Sequence, residues 1–434
     1  MVVSMKRCGL LFLGLLLLQS WACGSANGQP LTLEECHRII DTAYPLSHQV
    51  TLISQAAEAH RKSLLLAYVP QLSLGGKASY QSEVTSLDLD LSSYGFEVPK
   101  PRRDQYGLYG QVNQIVWDGG ATGARGRIVQ AEGRVGISQV REQLEGVHEQ
   151  TEKLYFALLL LDERLKRHGL LEQVLARQLL RVEACVSSGV ANGIDVQRVE
   201  IQMHRAKQGR IEMETARKQL AGSLGELLKL DLTGRTLQMP TLPARGAALD
   251  LMRHPSVVLI KNRVSLVDEQ LRALTSKIYP HAFIFFQGGW GNPALNMLKD
   301  AFEWYYVVGL KVEWNFGSLY DYAEQRRTLQ LRKSIELLSQ DAVLRKLTAE
   351  QADHERSAGG YEALLAEDEA MIAMHSTIVK NLESRVELGT ASTSELLDAI
   401  DEQQQAEQLR VEHQVQQLEA YYACDKIYRT EDAK

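Results

Sequence analysis

The chain has 434 residues, enough for two or three ordinary domains. Its composition is globular, 45% hydrophobic and 24% charged, and a net charge of −6 leaves no basic excess for nucleic-acid binding. Aromatic residues reach only 7%, low for an all-β protein and ordinary for one built on long helices.

The N-terminus reads as a secretion signal: Lys6 and Arg7, a short apolar run over 10–18, then Gly24, Ser25 and Ala26 as small residues for cleavage. Residues 1–26 are therefore expected to be a signal peptide. A second reading is lipidation at Cys23, which Ala22 suits and Trp21 and Ser20 do not. After cleavage Cys36, Cys185 and Cys424 remain, isolated and without CxxC spacing, which argues against a disulfide framework or a zinc site. No later stretch is an uninterrupted apolar run of helical-span length, so any membrane crossing must use a β-barrel.

The text is written twice. Pro45 and Pro70 lie 25 apart, as do Pro255 and Pro280, and the offset between the pairs is 210. Between them the apolar residues keep helical spacing. After each second proline comes strand-like sequence rich in glycine and aromatics. Residues 189–196 match 389–396 at an offset of 200, the change fitting a shorter strand loop in the second copy. Each copy thus reads helix, strand, loop, strand, very long helix, glycine turn, helix.

The strands are expected at about 71–82, 105–117, 281–291 and 303–316. Leu72, Leu74, Gly76, Ala78 and Tyr80 alternate with polar residues, and Trp304, Tyr306, Val308, Leu310, Val312 and Trp314 do so again. This is the pattern of a lipid-facing wall, with Trp304, Tyr306 and Trp314 suited to aromatic girdles. The strands near 105–117 and 281–291 are noisier, with apolar residues on both faces. Four strands cannot close a barrel, for which about eight is the minimum, so the wall must be shared between chains.

No proline occurs from 102 to 239 or from 294 onward, as a helix interior requires. About 70 residues from Gly119, and as many from Ser318, read as helices of order 100 Å each at roughly 1.5 Å per residue. Gly189 and Gly389 stop these helices in the left-handed conformation, forming two hairpin tips at 189–195 and 389–395. Asp195 and Glu395 fall in the first turn of the returning helix, where the dipole favours negative charge. The expected divisions are 27–230 for the first repeat, 231–250 for a linker, 251–428 for the second repeat and 429–434 for the tail. The linker, with the segment after Tyr421, is expected to form an equatorial collar.

No HExxH, phosphate loop or nucleophile–base pair is present, so no enzyme activity and no cofactor or metal is expected. Two other classes remain as alternatives. One is a periplasmic adaptor, which would carry a single hairpin beside a lipoyl-like β domain. The other is a structural coiled-coil protein of the envelope.

At this point a resemblance is carried by the residues. The opening Leu31-Thr32-Leu33-Glu34-Glu35-Cys36, which also offers a capping box from Thr32 to Glu35, resembles the usual mature start of the TolC-like outer-membrane efflux proteins. Trp117-Asp118-Gly119-Gly120 resembles that family's strand-to-helix junction, and the two glycine turns resemble its periplasmic hairpin tips.

The resemblance implies a mainly α protein with β structure. It would be a homotrimer in which a 12-stranded outer-membrane β-barrel, set in lipid, is continuous with a long periplasmic α-helical barrel. The resemblance also implies a passive duct of tripartite efflux or type I secretion, with a periplasmic adaptor (membrane fusion protein) and an inner-membrane transporter as partners. It places a periplasmic gate at Glu395 and Asp398 on the second tip and Asp195 on the first. Such carboxylates, crowded at a narrow lumen, would favour cations. The family's lock tyrosine and arginine correspond here to Val386 and Ala391.

Overall fold

The computed structural model describes residues 30–84, 102–189, 191–242, 251–297 and 299–428. The expected signal segment 1–26 with Cys23, residues 243–250 of the linker and the tail 429–434 lie outside the described residues.

In chain order the elements are α1 (Leu33–Ala43), α2 (Pro45–Leu65), β1 (Gln71–Tyr80), β2 (Asp104–Trp117), α3 (Ala121–Ser187), α4 (Gly193–Leu228), α5 (Pro255–Leu274), β3 (His281–Asn292), β4 (Glu303–Glu313), α6 (Tyr322–Glu387) and α7 (Thr393–Tyr428). The order helix, strand, strand, long helix, helix occurs twice, starting from α2 and from α5. The long helices α3 and α6 have 67 and 66 residues, and the returning helices α4 and α7 have 36 each. The chain divides into two compact units. One draws on Met1–Tyr44, Leu144–Asp250 and Leu347–Lys434, the other on Pro45–Gln143 and Leu251–Lys346.

The second unit holds the sheet, four antiparallel strands in the order β1-β2-β3-β4. Pro70 and Pro280 stand just before β1 and β3, at strand entries where a missing N–H costs no ladder bond. The register places Leu72 opposite Val112, Leu108 opposite Trp290, and Phe286 opposite Val308. One face is therefore apolar from edge to edge, and it is open: Leu74 is 84% and Trp304 82% exposed. The opposite face carries Ser73, Lys77, Gln111, Gln287 and Glu303 among others.

The apolar residues that made β2 and β3 read ambiguously have a local cause. Tyr109 lies opposite Gly75, Tyr305 opposite Gly289, and Phe285 opposite Gly309. A methyl group on any of these glycines would come within 2.8 Å of the facing ring. Each ring thus covers a bare stretch of backbone on the polar face. Aromatics also gather at the strand ends, with Trp290 against Phe302 and Trp304 at one end and Trp117–Tyr279 and Trp314–Phe316 at the other.

In the same unit α2 runs against α3, and glycine explains how closely. A Cβ on Gly133 would sit 2.9 Å from Ala57 Cβ, so only glycine admits the approach. The glycines scattered through the helical sequence of α3 include this contact.

The first unit is helical and packs around Leu33, Ile40, Tyr155, Phe156, Leu224 and Tyr422. The Thr32 hydroxyl accepts from Glu35 N–H at 3.1 Å and starts α1. Leu31 forms a parallel bridge with Leu237, closed by Leu31 N–H to Thr236 O and Gln238 N–H to Leu31 O, each 3.0 Å. The buried Tyr155 hydroxyl shares its one hydrogen between the Leu31 carbonyl (2.9 Å) and the Gln238 carbonyl (2.6 Å), tying the segment between the repeats to the start of the described chain. Tyr422 donates to Thr241 O, and past Tyr421 the chain continues as helix to Tyr428. Among the described residues Cys36, Cys185 and Cys424 form no disulfide, and burial, with Glu35 beside it, pushes the Cys36 thiol up to about 12.

Tyr155→Phe keeps the ring but strips a donor from two carbonyls in this core. It is expected to lower stability by about 1–3 kcal/mol, read as a shift of the urea midpoint. An unchanged midpoint contradicts the anchoring role.

Candidate functional site

Two constellations expected from the sequence carry the geometry. The first is the junction where β2 becomes α3. Gly119 and Gly120 both take positive φ, +64° and +82°, turning the chain out of the strand. A Cβ on Gly119 would lie 2.7 Å from Tyr279 Cβ and 3.1 Å from the Ser276 carbonyl, so the turn also needs glycine for space. Asp118 is buried, and its carboxylate caps α3. It accepts from Gly120 N–H (3.0 Å) and Thr122 N–H (2.7 Å), and the Tyr68 hydroxyl donates to it at 3.0 Å. Burial raises the Asp118 pKa, but these donors outweigh it and hold the carboxyl below its ordinary value. Trp117 packs edge-on to Tyr279. In the second copy Asn315 takes the corresponding place, its side chain accepting from Gly317 N–H at 2.9 Å.

The second constellation is the pair of hairpin tips, both in the helical unit. Gly189 (φ +77°) donates to Val186 O, and Gly389 (φ +69°) donates to the Val386 carbonyl. Thr390 N–H reaches Arg385 O at 2.8 Å, completing at the second tip the paired bonds that satisfy a helix's last carbonyls. Val190 lies outside the described residues.

The returning helices begin differently. Asn192 caps α4 by accepting from Ile194 and Asp195 N–H, and the Asp195 carboxylate reaches back to Asn192 N–H at 3.1 Å. Asp195 is thus engaged in a reciprocal capping box. At α7 the cap is the Ser392 hydroxyl, which accepts from Glu395 N–H, so no backbone group claims the Glu395 carboxylate. Leu396, Leu397, Ala399 and Ile400 are buried while Glu395 and Asp398 are exposed, one turn apart on the open face. Among the described residues neither carboxylate has a hydrogen bond or ion pair.

Sequence reasoning missed the continuation of this row. Asp401 lies one turn beyond Asp398 and accepts from Gln202 Nε2 at 3.1 Å. Burial raises its pKa and the Asp398 charge adds to this, against Arg205 and the Gln202 hydrogen bond. Glu402 stands 3.7 Å from His375 Nδ1. The signal was present as acidic residues at steps of three and four from Glu395.

The lock positions hold apolar packing. Val386 is buried with Val379, Leu396, Ala399 and Ile400, and Ala391 packs against them. Leu397 joins a second cluster with Leu175, Val182 and Val199, so the second tip is seated on α3 and α4 by hydrophobic contact. The Arg181 guanidinium spans Glu383 and Glu387 beside it. Among the described residues no group of His, Cys, Asp or Glu has the arrangement of a metal site. Among the described residues no helix is long and apolar enough to cross a membrane.

No protein-family model and no curated protein sequence matches the chain. Solved structures do. The outer membrane protein VceC of Vibrio cholerae shares 13% identity at a TM-score of 0.70, covering 92% of this chain and 96% of that one. The CmeC outer membrane channel of Campylobacter jejuni shares 10% at 0.68, covering 93% and 87%. The open state of the MtrE outer membrane channel of Neisseria gonorrhoeae shares 13% at 0.65, covering 91% and 88%. The chain therefore has the fold of these proteins over nearly its whole length.

Asp118→Asn replaces an acceptor-only carboxylate with an amide facing three donors. It is expected to destabilise the protein by about 1–3 kcal/mol at neutral pH. Because the folded pKa is depressed, Asp118 contributes its stability above the unfolded value and loses it as pH falls through the folded one. The variant's deficit should therefore shrink in acid; a deficit independent of pH contradicts the capping role.

Proposed function

We infer from the shared fold and the open apolar sheet face that this chain is the protomer of an outer-membrane channel. It would be a passive exit duct in a Gram-negative bacterium, extending into the periplasm and catalysing no reaction. The sheet carries the reading. Its apolar face is exposed, its β1 and β4 edges have no partner strand among the described residues, and aromatics mark both ends. In lipid an open strand edge leaves backbone groups unsatisfied, so the edges must close on other strands. Three copies of four strands give twelve, a closed wall, and three copies of α3, α4, α6 and α7 give twelve long helices for a periplasmic barrel.

The helices support oligomerisation independently. In the isolated chain α6 exposes Leu331, Ile335 and Leu338, and further along Leu364, Met371, Met374 and Ile378, at coiled-coil spacing. On α4 Ile194, Ile201 and Ile211 are likewise open. These stripes suit neighbouring copies of the same chain. The reading further assigns an adaptor and an inner-membrane transporter as partners at the tips, in tripartite efflux or type I secretion. The expected divisions at 27–230, 231–250 and 251–428 then correspond to two channel repeats and the segment joining them.

The gate is assigned to Glu395 and Asp398, whose carboxylates are free, with Asp401 extending the row. Asp195 takes a capping role at the first tip. Val386 and Ala391 replace a polar lock with apolar packing, so the closed state rests on the Val386, Leu396 and Ile400 contacts. Protein reconstituted into planar bilayers is expected to conduct with cation preference and to be blocked by divalent cations. Glu395→Ala with Asp398→Ala should reduce both. Channels whose selectivity and block are unchanged by the pair of substitutions contradict the gate, and an absence of channels contradicts the duct.

A further inference from the structure

The helical unit holds a cavity of about 320 Å³ walled by α3 over 167–181, α6 over 376–383 and α7 over 400–407. That volume lies at the lower end of the range of small-molecule sites. The α3 wall repeats at steps of four and three, so Arg167, Leu171, Val174, Gln178 and Arg181 share one helix face. Val379 of α6 and Ile400 of α7, both buried, join Leu171 and Val174 in an apolar strip.

The charge on this wall is unbalanced. Arg167, Arg177, Arg181 and Lys380 line it against two carboxylates, Glu383 and Glu407. Both carboxylates are already engaged. Gln403 Nε2 donates to Glu407 at 3.0 Å, with Arg167 at 3.6 Å, and Arg181 faces Glu383 at 3.1 Å and Glu387 at 3.9 Å. The cationic heads of Arg177 and Lys380 have no hydrogen bond or ion pair among the described residues.

The hydrogen bonding of the wall is also incomplete. Gln178 is only 3% exposed, and its side-chain amide has no partner among the described residues. Gln404, on the α7 side, has a buried Nε2 without a partner. Buried amides left unpaired cost stability, and native proteins keep few of them. Water in the cavity would complete an amide, but it offers nothing to the apolar strip or to the excess of cations. A molecule with an oxyanion at one end and hydrocarbon at the other uses all three.

We propose that this cavity binds a small amphipathic oxyanion, a carboxylate or sulfonate carried on an aromatic or short aliphatic body. The body lies against Leu171, Val174, Val379 and Ile400. Arg177 and Lys380 hold the charged head, and the Gln178 amide donates to it. The site is built from one chain and does not require the channel reading.

Equilibrium dialysis of the full-length protein tests it, in a neutral maltoside detergent with micelles at equal concentration on both sides. The probes are naphthoate, naphthalenemethanol, which has the same rings without the charge, and acetate, which has the charge without the rings. Naphthoate is expected to bind saturably, one per chain, and about tenfold more tightly than either control. Arg177→Gln with Lys380→Gln, both at exposed side chains, should weaken it about tenfold. Gln178→Leu should weaken it too, while the urea midpoint of the unliganded protein holds or rises, because an unpaired buried amide is removed. Equal affinity for naphthoate and the alcohol overturns the proposal, as does full affinity in the double variant. An absence of saturable binding, which a neighbouring copy seated on Arg177 and Lys380 would produce, overturns it equally. Should a variant fail to fold, the comparison of the three probes on the wild type decides.

Discussion

A backbone hydrogen bond with no partner is the constraint on which this molecule turns. The sheet pairs β2 and β3 on both sides, yet among the described residues β1 and β4 each keep one row of N–H and C=O groups open. Water would satisfy those rows in a soluble protein, but the adjoining face, with Leu74 and Trp304 more than four-fifths exposed, is suited to hydrocarbon. On the proposed reading further strands close the edges. The same logic extends to α6 and α4, whose apolar stripes are exposed among the described residues of one chain. In the proposed channel the single chain is an incomplete part, and association completes both its hydrogen bonding and its packing.

The duplicated plan meets this constraint with unequal copies. Both junctions use a side-chain acceptor after the strand, Asp118 in the first copy and Asn315 in the second, and only the first carries a charge. Both tips use a left-handed glycine, but Asp195 is engaged in capping α4 while Glu395 is released by the Ser392 cap. Both hairpins have polar seams: Arg210–Glu172 and Arg217–Asp162 lie in the first, and His413–Asp368 lies in the second. The tip carboxylates left unclaimed by a cap thus fall on one copy.

Much of this was legible in the sequence because it depends on short-range pattern. Proline spacing located the strand entries, alternation in 71–80 and 303–313 located the open face, and the absence of proline located α3 and α6. Glycine at 189 and 389 located the tips. What stayed hidden depends on contacts distant in sequence. The ambiguous reading of β2 and β3 came from Tyr109, Phe285 and Tyr305, which cover glycines on neighbouring strands, and no single strand reveals its neighbour's glycine. The need for glycine at 133 comes from Ala57 on another helix, which packs against it. The Tyr155 anchor joins positions 124 and 83 residues away, and the Asp401 carboxylate acquires its character from Gln202 and Arg205 on another helix. The acidic row from Glu395 was visible only as far as the family resemblance directed attention.

The central claim is that the open strand edges of one chain are closed by identical copies. The most direct test is the native mass of the particle extracted in mild detergent. A single species of three protomers is predicted, one that dissociates only when the sheet's circular dichroism is lost. A stable monomer that keeps its strands, in detergent or in water, would contradict it, because its edges would then be satisfied without partners.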